Sequence, residues 1–347
     1  MTDWKPIIGL EIHAEMQTQS KMFSACPVVD SVEAPPNSAV DALSLGLPGT
    51  LPVINKLAMD YGMMVGLALN CEIPPVNQFA RKSYFYPDLP KGYQISQFDR
   101  PICTDGAIHV PGDQGVQRFE IERIHMEEDA GKLVHDGARS LVDWNRGGTP
   151  LIEIVGRPDL HSAEDAEAFL RMLHRVMVEA GVTQGDMEKG HFRVDANVSV
   201  SDVPGTLGTR VELKNLNSFR FVARAIRHEV KRQVRILESG GRVIQSTRSW
   251  TGQGSELLRS KEQAADYRYF PDPDLGPVQL SKADHSEALE RLPGHPLDLW
   301  LLNADSVRRT AFQSTHGLVD ADVDALLGDS EQCSFFEAAV AAGSPPV

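Results

Sequence analysis

Carboxylate and imidazole side chains alternate with apolar residues in the segment that spans residues 8–15. If this segment is a β-strand, Glu11, His13 and Glu15 lie on one face, because successive side chains of a strand point to opposite faces. The opposite face carries only apolar side chains, namely Ile8, Leu10, Ile12 and Ala14. The alternation predicts a strand in a sheet with one packed face and one open, polar face.

Three further segments, residues 151–155, 192–200 and 210–214, are also predicted as strands that carry polar side chains. Their polar positions are Glu153, Arg193, Asp195, Asn197, Ser199, Arg210, Glu212 and Lys214. For one such strand, a solvated surface is as good an explanation as function, but four of them together favour function. Oxygen ligands with an occasional imidazole suit Mg²⁺, which bridges to phosphate, so the sequence predicts a magnesium and nucleotide site.

Three consecutive acids, Glu127, Glu128 and Asp129, lie in the segment of residues 121–132. Neighbouring residues on a strand face opposite ways, so at most one of Glu127 and Glu128 shares a face with Glu11. Periodicity alone does not choose between them, and a solvated turn is the alternative explanation of the run.

Nucleotide-binding loops of the common types are absent from the sequence. It contains no Gly-x-x-x-x-Gly-Lys-Ser/Thr string, and no Gly-x-Gly-x-x-Gly follows a predicted strand. We therefore expect metal ions and side chains to hold the nucleotide.

Composition excludes several classes of protein. The chain has 347 residues, of which 41% are hydrophobic, enough for one large domain and an appendage. Its formal charge of −14 argues against a surface that grips nucleic acid everywhere, so any RNA contact must be local. No targeting segment or membrane span is recognisable, and we expect a soluble, cytoplasmic protein.

Helices with clear end signals lie between the strands. The first begins after Ser162, with Asp165 completing a capping box, and stops at Gly181. Its apolar stripe predicts packing on the apolar side of the sheet. Two further helices are predicted over residues 55–69 and 218–240.

The strand pattern stops at about residue 293, and short helical stretches follow. We expect a catalytic α+β domain over residues 1–292 and the beginning of a helical domain over residues 293–347. The few helices that follow are too few to close a helical core, so we expect the sequence to end before that domain is complete.

Six longer strings in the sequence point to one family. They read IGLEIH (residues 8–13), ARKSYFYPDLPKGYQISQ (80–97), HMEEDAGK (125–132), RVDANV (193–198), ELKNLNSF (212–219) and DYRYFPDPD (266–274). These strings closely resemble the B subunit of the heterotrimeric aspartyl/glutamyl-tRNA amidotransferases, in that family's order, over about residues 6–280.

The resemblance implies a cradle domain with an antiparallel sheet, related to glutamine synthetase and the guanidino kinases, and then helical and tail domains. It also implies the reaction. ATP phosphorylates the side-chain carboxylate of Glu or Asp misacylated on tRNA, and ammonia then displaces phosphate to give Gln-tRNA(Gln) or Asn-tRNA(Asn). The amidase, or A, subunit supplies the ammonia, and a small C subunit completes the heterotrimer. Which product is made depends on the misacylated tRNAs in the cell.

Carried onto this chain, the resemblance makes Glu11, His13, Glu128 and Glu212 the expected metal ligands, with Glu127 as the alternate. Basic residues of the matching strands are expected to neutralise the anionic reactants, namely Arg193, Arg210 and Lys214. The expected exit of the ammonia path comprises Lys82, Tyr84, Asp266 and Arg268. Aromatic core packing is the alternative explanation for these segments.

Some relatives carry Cys-x-x-Cys zinc ligands near the first strand. This chain has FSAC (residues 23–26) and AVDA (39–42) there, so we expect no zinc. Two rival functions are a small-molecule phosphotransferase without tRNA and a non-catalytic scaffold that docks tRNA. The first is disfavoured because the chain has no glutaminase centre of its own, and the second because a scaffold does not need acids on several strands.

Overall fold

The structure is a computed structural model that describes residues 2–112, 115–259 and 267–345. Its strands are β1 (Lys5–Glu15), β2 (Val76–Asn77), β3 (Phe79–Ser83), β4 (Tyr93–Gln97), β5 (Cys103–Gly112), β6 (Gly115–Glu128), β7 (Lys132–Asp136), β8 (Arg139–Asp143), β9 (Pro150–Gly156), β10 (Phe192–Ser201), β11 (Val211–Lys214), β12 (Ser246–Trp250), β13 (Ser255–Arg259), β14 (Phe270–Pro271) and β15 (Val278–Gln279). Its helices are α1 (Lys56–Ala68), α2 (Ala163–Glu179), α3 (Phe219–Glu238), α4 (Lys282–Glu290), α5 (Leu297–His316), α6 (Asp320–Leu327) and α7 (Ser330–Ala341).

An eleven-stranded sheet forms the body of the protein. Its order is β13-β12-β11-β10-β1-β9-β6-β4-β3-β14, and β5 pairs with β6 off this path. The predicted α+β class is confirmed. The antiparallel sheet that the resemblance implied is found to be mixed, because β11 and β12 are parallel. Helix α3 connects these two strands, and parallel neighbours require such a crossover connection. The relation to the glutamine synthetase cradle stays a prediction.

Helices α2 and α3 cover the apolar face of the sheet, as the sequence predicted for α2. The alternating residues of β1 are buried there, with Ile8 and Ile12 fully inaccessible and Leu10 nearly so. Each such side chain contributes about 1.5–3 kcal/mol relative to an exposed one. Ser162 caps α2 by accepting from the Asp165 N–H at 2.9 Å, but the Asp165 carboxylate accepts from His161 rather than completing a capping box.

The last four helices pack into two separate hydrophobic cores. Helix α4 packs on α1, and the first turns of α5 bury Leu297 and Leu301 in the main core. A second, small core follows, built around Phe312, Leu318 and Val323. The domain boundary at residue 293 stays a prediction. Within the described residues, every helix is too short or too polar to traverse a bilayer.

Candidate active site

The registers of β1 and its neighbours bring acidic and imidazole side chains together on the open face of the sheet. His13 pairs with Glu153 of β9, and Glu153 pairs in turn with His125 of β6. On the other side of β1, Glu11 lies opposite Asp195 of β10. Because paired residues of adjacent strands point to the same face, strands that are distant in the sequence contribute to one polar surface.

The first candidate metal group consists of His13, Glu127 and Glu153. The His13 Nε2 atom lies 3.3 Å from Glu153 Oε2 and 3.7 Å from Glu127 Oε1. One ligand atom from each residue lies within 4.8 Å of the other two, close enough to share one cation. His125 Nε2 lies 2.9 Å from Glu153 Oε2, so a second imidazole orients this carboxylate.

Glu128 lies outside this group. Its carboxylate oxygens both lie 2.6 Å from Lys91 Nζ, and one of them also accepts from the Ile95 N–H at 2.9 Å. Both charged side chains are almost fully buried. The geometry therefore favours Glu127, the alternate, over Glu128, because Lys91 already pairs with Glu128. Metal binding by Glu127 stays a prediction.

The second candidate metal group consists of Glu11, Asp195 and Glu212, whose ligand atoms also lie within 4.8 Å of one another. The Asn197 amide donates to Glu11 at 2.9 Å, and the Thr247 hydroxyl donates to Glu212 at 2.6 Å. These neutral donors fix the two carboxylates without neutralising them.

Lys214 is the nearest cation to the second group. Its ammonium lies 3.0 Å from Glu212 and is hydrogen-bonded to Asp195. These acids hold the pKa of Lys214 above its usual range, although burial alone would lower it. The lysine is therefore a permanent positive charge on the floor of the site.

The electrostatics of both groups indicate a shortage of positive charge. Burial raises the pKa of Glu11, and the neighbouring carboxylates of Glu153 and Asp195 raise it further. Burial would lower the pKa of His13, but Glu153 and Glu127 outweigh it and raise that pKa to about 9. An added divalent cation would relieve the repulsion between these acids.

The donor set fits Mg²⁺. The two groups together offer five carboxylates and one imidazole, and Mg²⁺ prefers oxygen ligands of this kind. Neither group includes a cysteine among the described residues, and the free thiol of Cys26 lies in a different segment. The absence of a zinc site stays a prediction.

Two cavities open over the candidate metal groups. The first has a volume of about 330 Å³ and contacts all three residues of the second group, together with Arg210. The second, of about 630 Å³, contacts Glu127 and Arg193. Five residues line both cavities and form the wall between them, namely His13, Lys82, Asp195, Lys214 and Tyr267.

The structure brings the three predicted catalytic cations to these cavities. Arg210 lines the first, Arg193 the second and Lys214 both. Arg193 forms an ion pair with Asp129, whose carboxylate also lies 3.4 Å from Arg146. Arg193 is thereby held in place at the floor of the second cavity.

The residues predicted for the ammonia exit are only partly brought together. Lys82 lines both cavities, with its ammonium 4.7 Å above the ring centre of Tyr267, and Tyr84 lines the second cavity. Arg268 is exposed and lines neither cavity. Asp266 lies outside the residues that the structure describes.

Sequence reasoning did not select several residues of the site. The sequence identifies Glu153 and Asp195 as polar strand positions but does not select them as ligands. The alternation nevertheless places them on the polar faces of their strands, as it places Glu11. His125 lies two residues before Glu127 and so shares its face. Thr247 gave no signal, since only the pairing of β11 with β12 places it here. Tyr267 lies in the string DYRYFPDPD, but nothing in that string marked it as a site residue.

Comparison with known proteins places the chain in a family. The family model described as GatB/GatE catalytic domain matches residues 6–286. The chain belongs to the GatB/GatE catalytic-domain family. Both candidate metal groups and all residues of the shared wall lie within the matched residues.

Curated relatives of the GatB/GatE family are similar over nearly the whole chain. Each is named as the B subunit of an aspartyl/glutamyl-tRNA(Asn/Gln) amidotransferase. The relative from Geobacter sulfurreducens is 47% identical, over 99% of this chain and 71% of the relative. The relative from Persephonella marina is 45% identical, with 97% and 70% covered. The relative from Myxococcus xanthus is 47% identical, with 97% and 69% covered.

Proposed function

We propose that this chain is the carboxylate-activating subunit of a tRNA-dependent amidotransferase that uses ATP and Mg²⁺. The observation that carries the proposal is the pair of candidate metal groups at the boundary between two cavities, since one residue of each group, His13 and Asp195, lines both. Membership of the GatB/GatE catalytic-domain family and the names of the relatives support it. The substrates are Glu-tRNA(Gln), Asp-tRNA(Asn) or both.

The reaction has two steps. A carboxylate oxygen of the misacylated Glu or Asp attacks the γ-phosphorus of ATP, the bond from that phosphorus to the bridging oxygen breaks, and ADP leaves. Ammonia then attacks the carbonyl carbon of the acyl phosphate, phosphate leaves with the carbon–oxygen bonding pair, and loss of a proton gives the amide. Bound Mg²⁺ supplies the positive charge that lets an anionic carboxylate approach an anionic phosphate.

The two cavities divide the reactants between them. The first cavity contacts Glu11, Asp195 and Glu212 together with Arg210, a combination suited to a triphosphate. The second is larger and contains Arg193, which suits the anionic aminoacyl end of the tRNA. The γ-phosphate and the carboxylate then meet at the shared wall.

Lys214 is one of the chain's own cations at that wall, together with Lys82. It lines both cavities, and its pairing with Asp195 fixes the ammonium between them. A cation held in this position orients the two anions toward each other and stabilises the charge that develops during transfer. Arg210 and Arg193 hold the outer ends of the two reactants.

The partners follow from the reaction. Because the acyl phosphate needs ammonia, we propose the amidase (A) and the small (C) subunits of the heterotrimer as partners, with Lys82 and Tyr84 at the ammonia exit. We further propose that residues 1–292 form a catalytic cradle of the glutamine synthetase type and that residues 293–347 begin a helical domain.

Reconstitution with the amidase partner tests the proposal. We expect ATP cleavage to depend on Glu-tRNA(Gln) or Asp-tRNA(Asn), with the correctly acylated Gln-tRNA(Gln) as the inactive control. Turnover that ignored misacylated tRNA would favour a small-molecule phosphotransferase. Absence of ATP cleavage with every tRNA would favour a docking scaffold.

A further inference from the structure

The outer face of helix α3 carries almost only positive charge. Among the exposed positions of this 20-residue helix, all but Glu238 are occupied by arginine or lysine. They follow one another at intervals of four, three, four and four residues, so their side chains project from one side of the helix. We call this set the basic face of α3, and it consists of Arg220, Arg224, Arg227, Lys231 and Arg235.

The protein itself neutralises only part of the basic face. Arg227 pairs with Glu164 of α2 at 2.6 Å, and Arg224 donates to the Gly252 carbonyl at 2.7 Å. The other three cations form no ion pair with any residue that the structure describes. Because the whole chain has a formal charge of −14, these unpaired cations are a local excess of the opposite sign.

Exposed cations of other helices are balanced by acids. On α1, Lys56 lies 2.9 Å from Asp60, and Arg309 of α5 pairs with Asp324 of α6. On α3, by contrast, neighbouring cations repel one another at helical spacing, which destabilises a helix. The first turn of α3 contains Arg220 and no acid, although the positive end of the helix dipole favours acids there. An anion bound along the face would relieve both conflicts.

The basic face starts at the rim of the second cavity. Asn215, Leu216 and Asn217 line this cavity, and α3 follows directly after its cap residue Ser218. At about 1.5 Å per residue, the face extends about 22 Å away from the rim. A flexible anionic chain whose end lies in the second cavity therefore meets the first turn of α3 and continues along the helix.

A phosphodiester backbone fits the basic face. Four of the five cations are arginines, whose planar guanidinium forms paired hydrogen bonds with phosphate oxygens. The exposed positions include no amide or aromatic side chain that could read a base edge, so the contact is independent of sequence. An acidic protein surface is the alternative occupant, but it gives no reason for the face to begin at the cavity rim.

We propose that the basic face of α3 binds the phosphate backbone of the tRNA acceptor strand while the aminoacyl end occupies the second cavity. This inference rests on the proposed function and identifies the surface along which the RNA leaves the site. The contact positions the tRNA and takes no part in the chemistry.

The test neutralises the three unpaired cations together, as Arg220→Gln, Lys231→Gln and Arg235→Gln, in the complex assembled with its partner subunits. Glutamine suits an exposed helix, so we expect the triple variant to fold, and thermal unfolding checks this. A charge-retaining triple variant carries Arg220→Lys, Lys231→Arg and Arg235→Lys. Lys282→Gln, at an exposed lysine of α4, is the matched control for the single variant Lys231→Gln.

Filter binding of Glu-tRNA(Gln) between about 50 and about 200 mM salt measures the affinity and its salt dependence. We expect the neutral triple variant to bind about tenfold more weakly at the lowest salt. The slope of log affinity against log salt should become shallower by about 2–3, because each phosphate contact contributes about 0.7–0.9. Lys231→Gln should lose about one third of this slope, whereas Lys282→Gln should lose none.

Three further results are expected. Uncharged tRNA(Gln) should show the same loss in the neutral triple variant, because phosphate contacts do not read the amino acid. The charge-retaining variant should bind tRNA as the wild type does. The affinity for ATP and the kcat at saturating tRNA should stay unchanged in every variant, since the basic face lies outside the reacting groups.

Unchanged tRNA affinity and salt slope in the neutral triple variant would overturn the inference and leave a solvated helix face. Loss of a partner subunit on size exclusion, with unchanged tRNA affinity of the intact complex, would also overturn it and would assign the face to an acidic protein surface. Equal losses in Lys231→Gln and Lys282→Gln would refute a local contact, because net charge alone would explain them.

The same complex separates this inference from the proposed function. Weaker tRNA binding in the neutral triple variant, combined with ATP cleavage that ignores misacylated tRNA, would retain the basic face and reject the function. Cleavage that depends on misacylated tRNA, combined with unchanged tRNA affinity in this variant, would retain the function and reject the basic face.

Discussion

The contrast between Glu127 and Glu128 gives a sharp prediction about stability. Lys91→Met removes the ammonium that lies 2.6 Å from both carboxylate oxygens of Glu128 and leaves this charge buried. Removing one partner of a buried ion pair typically costs about 3–5 kcal/mol. Because the Ile95 N–H still donates to Glu128, we expect a loss near about 3 kcal/mol.

A double variant separates the lost charge from lost packing. Lys91→Met combined with Glu128→Gln removes both charges and is expected to recover most of the stability, since replacing a buried pair by neutral groups is often nearly neutral. Urea titrations of the single and double variants measure the free energy of unfolding. A loss below about 1 kcal/mol in Lys91→Met, or a double variant no more stable than the single, would refute the reasoning.

The second prediction about Glu127 and Glu128 concerns the affinity of the protein for Mg²⁺. We expect Glu127→Gln to weaken Mg²⁺ binding while leaving the Mg²⁺-free protein as stable as the wild type or more so, because it relieves repulsion with Glu153. Glu128→Gln is expected to retain Mg²⁺ binding. A calorimetric titration in which Glu128→Gln weakened Mg²⁺ binding and Glu127→Gln did not would identify Glu128 as the ligand instead.

Three other predictions concern the active site and the core. Glu11→Ala should abolish ATP cleavage without unfolding the protein, and wild-type activity in this variant would reject the second metal group. Lys214→Met should lower the rate of ATP cleavage at least a hundredfold, with Lys214→Arg less affected, and equal rates for both would argue against a charge role at the wall. His174 is partly buried and donates to the Gly185 carbonyl at 2.9 Å. Its partial burial lowers its pKa, although this hydrogen bond acts in the opposite direction, so the unfolded chain binds the proton more readily. Stability should therefore fall as pH drops below about 6.5, and His174→Asn should reduce this dependence in urea titrations at pH 5 and pH 7.

The polar face of the sheet was predictable because the alternation of side chains along a strand is a local property of the sequence. A period of two assigns Glu11 and His13 to one face whatever the partner strands are. The same alternation assigns Glu153 and Asp195 to the polar faces of their strands, but it does not say which strands are neighbours. Only the observed order of β10, β1 and β9 shows that these acids meet.

Other features depended on contacts that no local pattern encodes. The choice of Glu127 follows from the pairing of β6 with β9 and from the position of Lys91, which arrives from another part of the chain. Phe98 stacks on Tyr269, although these residues are far apart in the sequence. The parallel pairing of β11 and β12 depends on how α3 returns the chain.

The central position of β1 has a consequence for how the protein acquires its activity. β1 lies near the amino terminus, but both of its partners, β9 and β10, follow more than 130 residues later in the chain. Pairings between such distant segments form slowly, because the loop between them must close first. Neither metal group is complete until those strands arrive, so a growing chain exposes Glu11 and His13 long before it can bind a cation with them. Magnesium should therefore act as a late ligand that stabilises only the closed sheet, and its binding should report completion of folding.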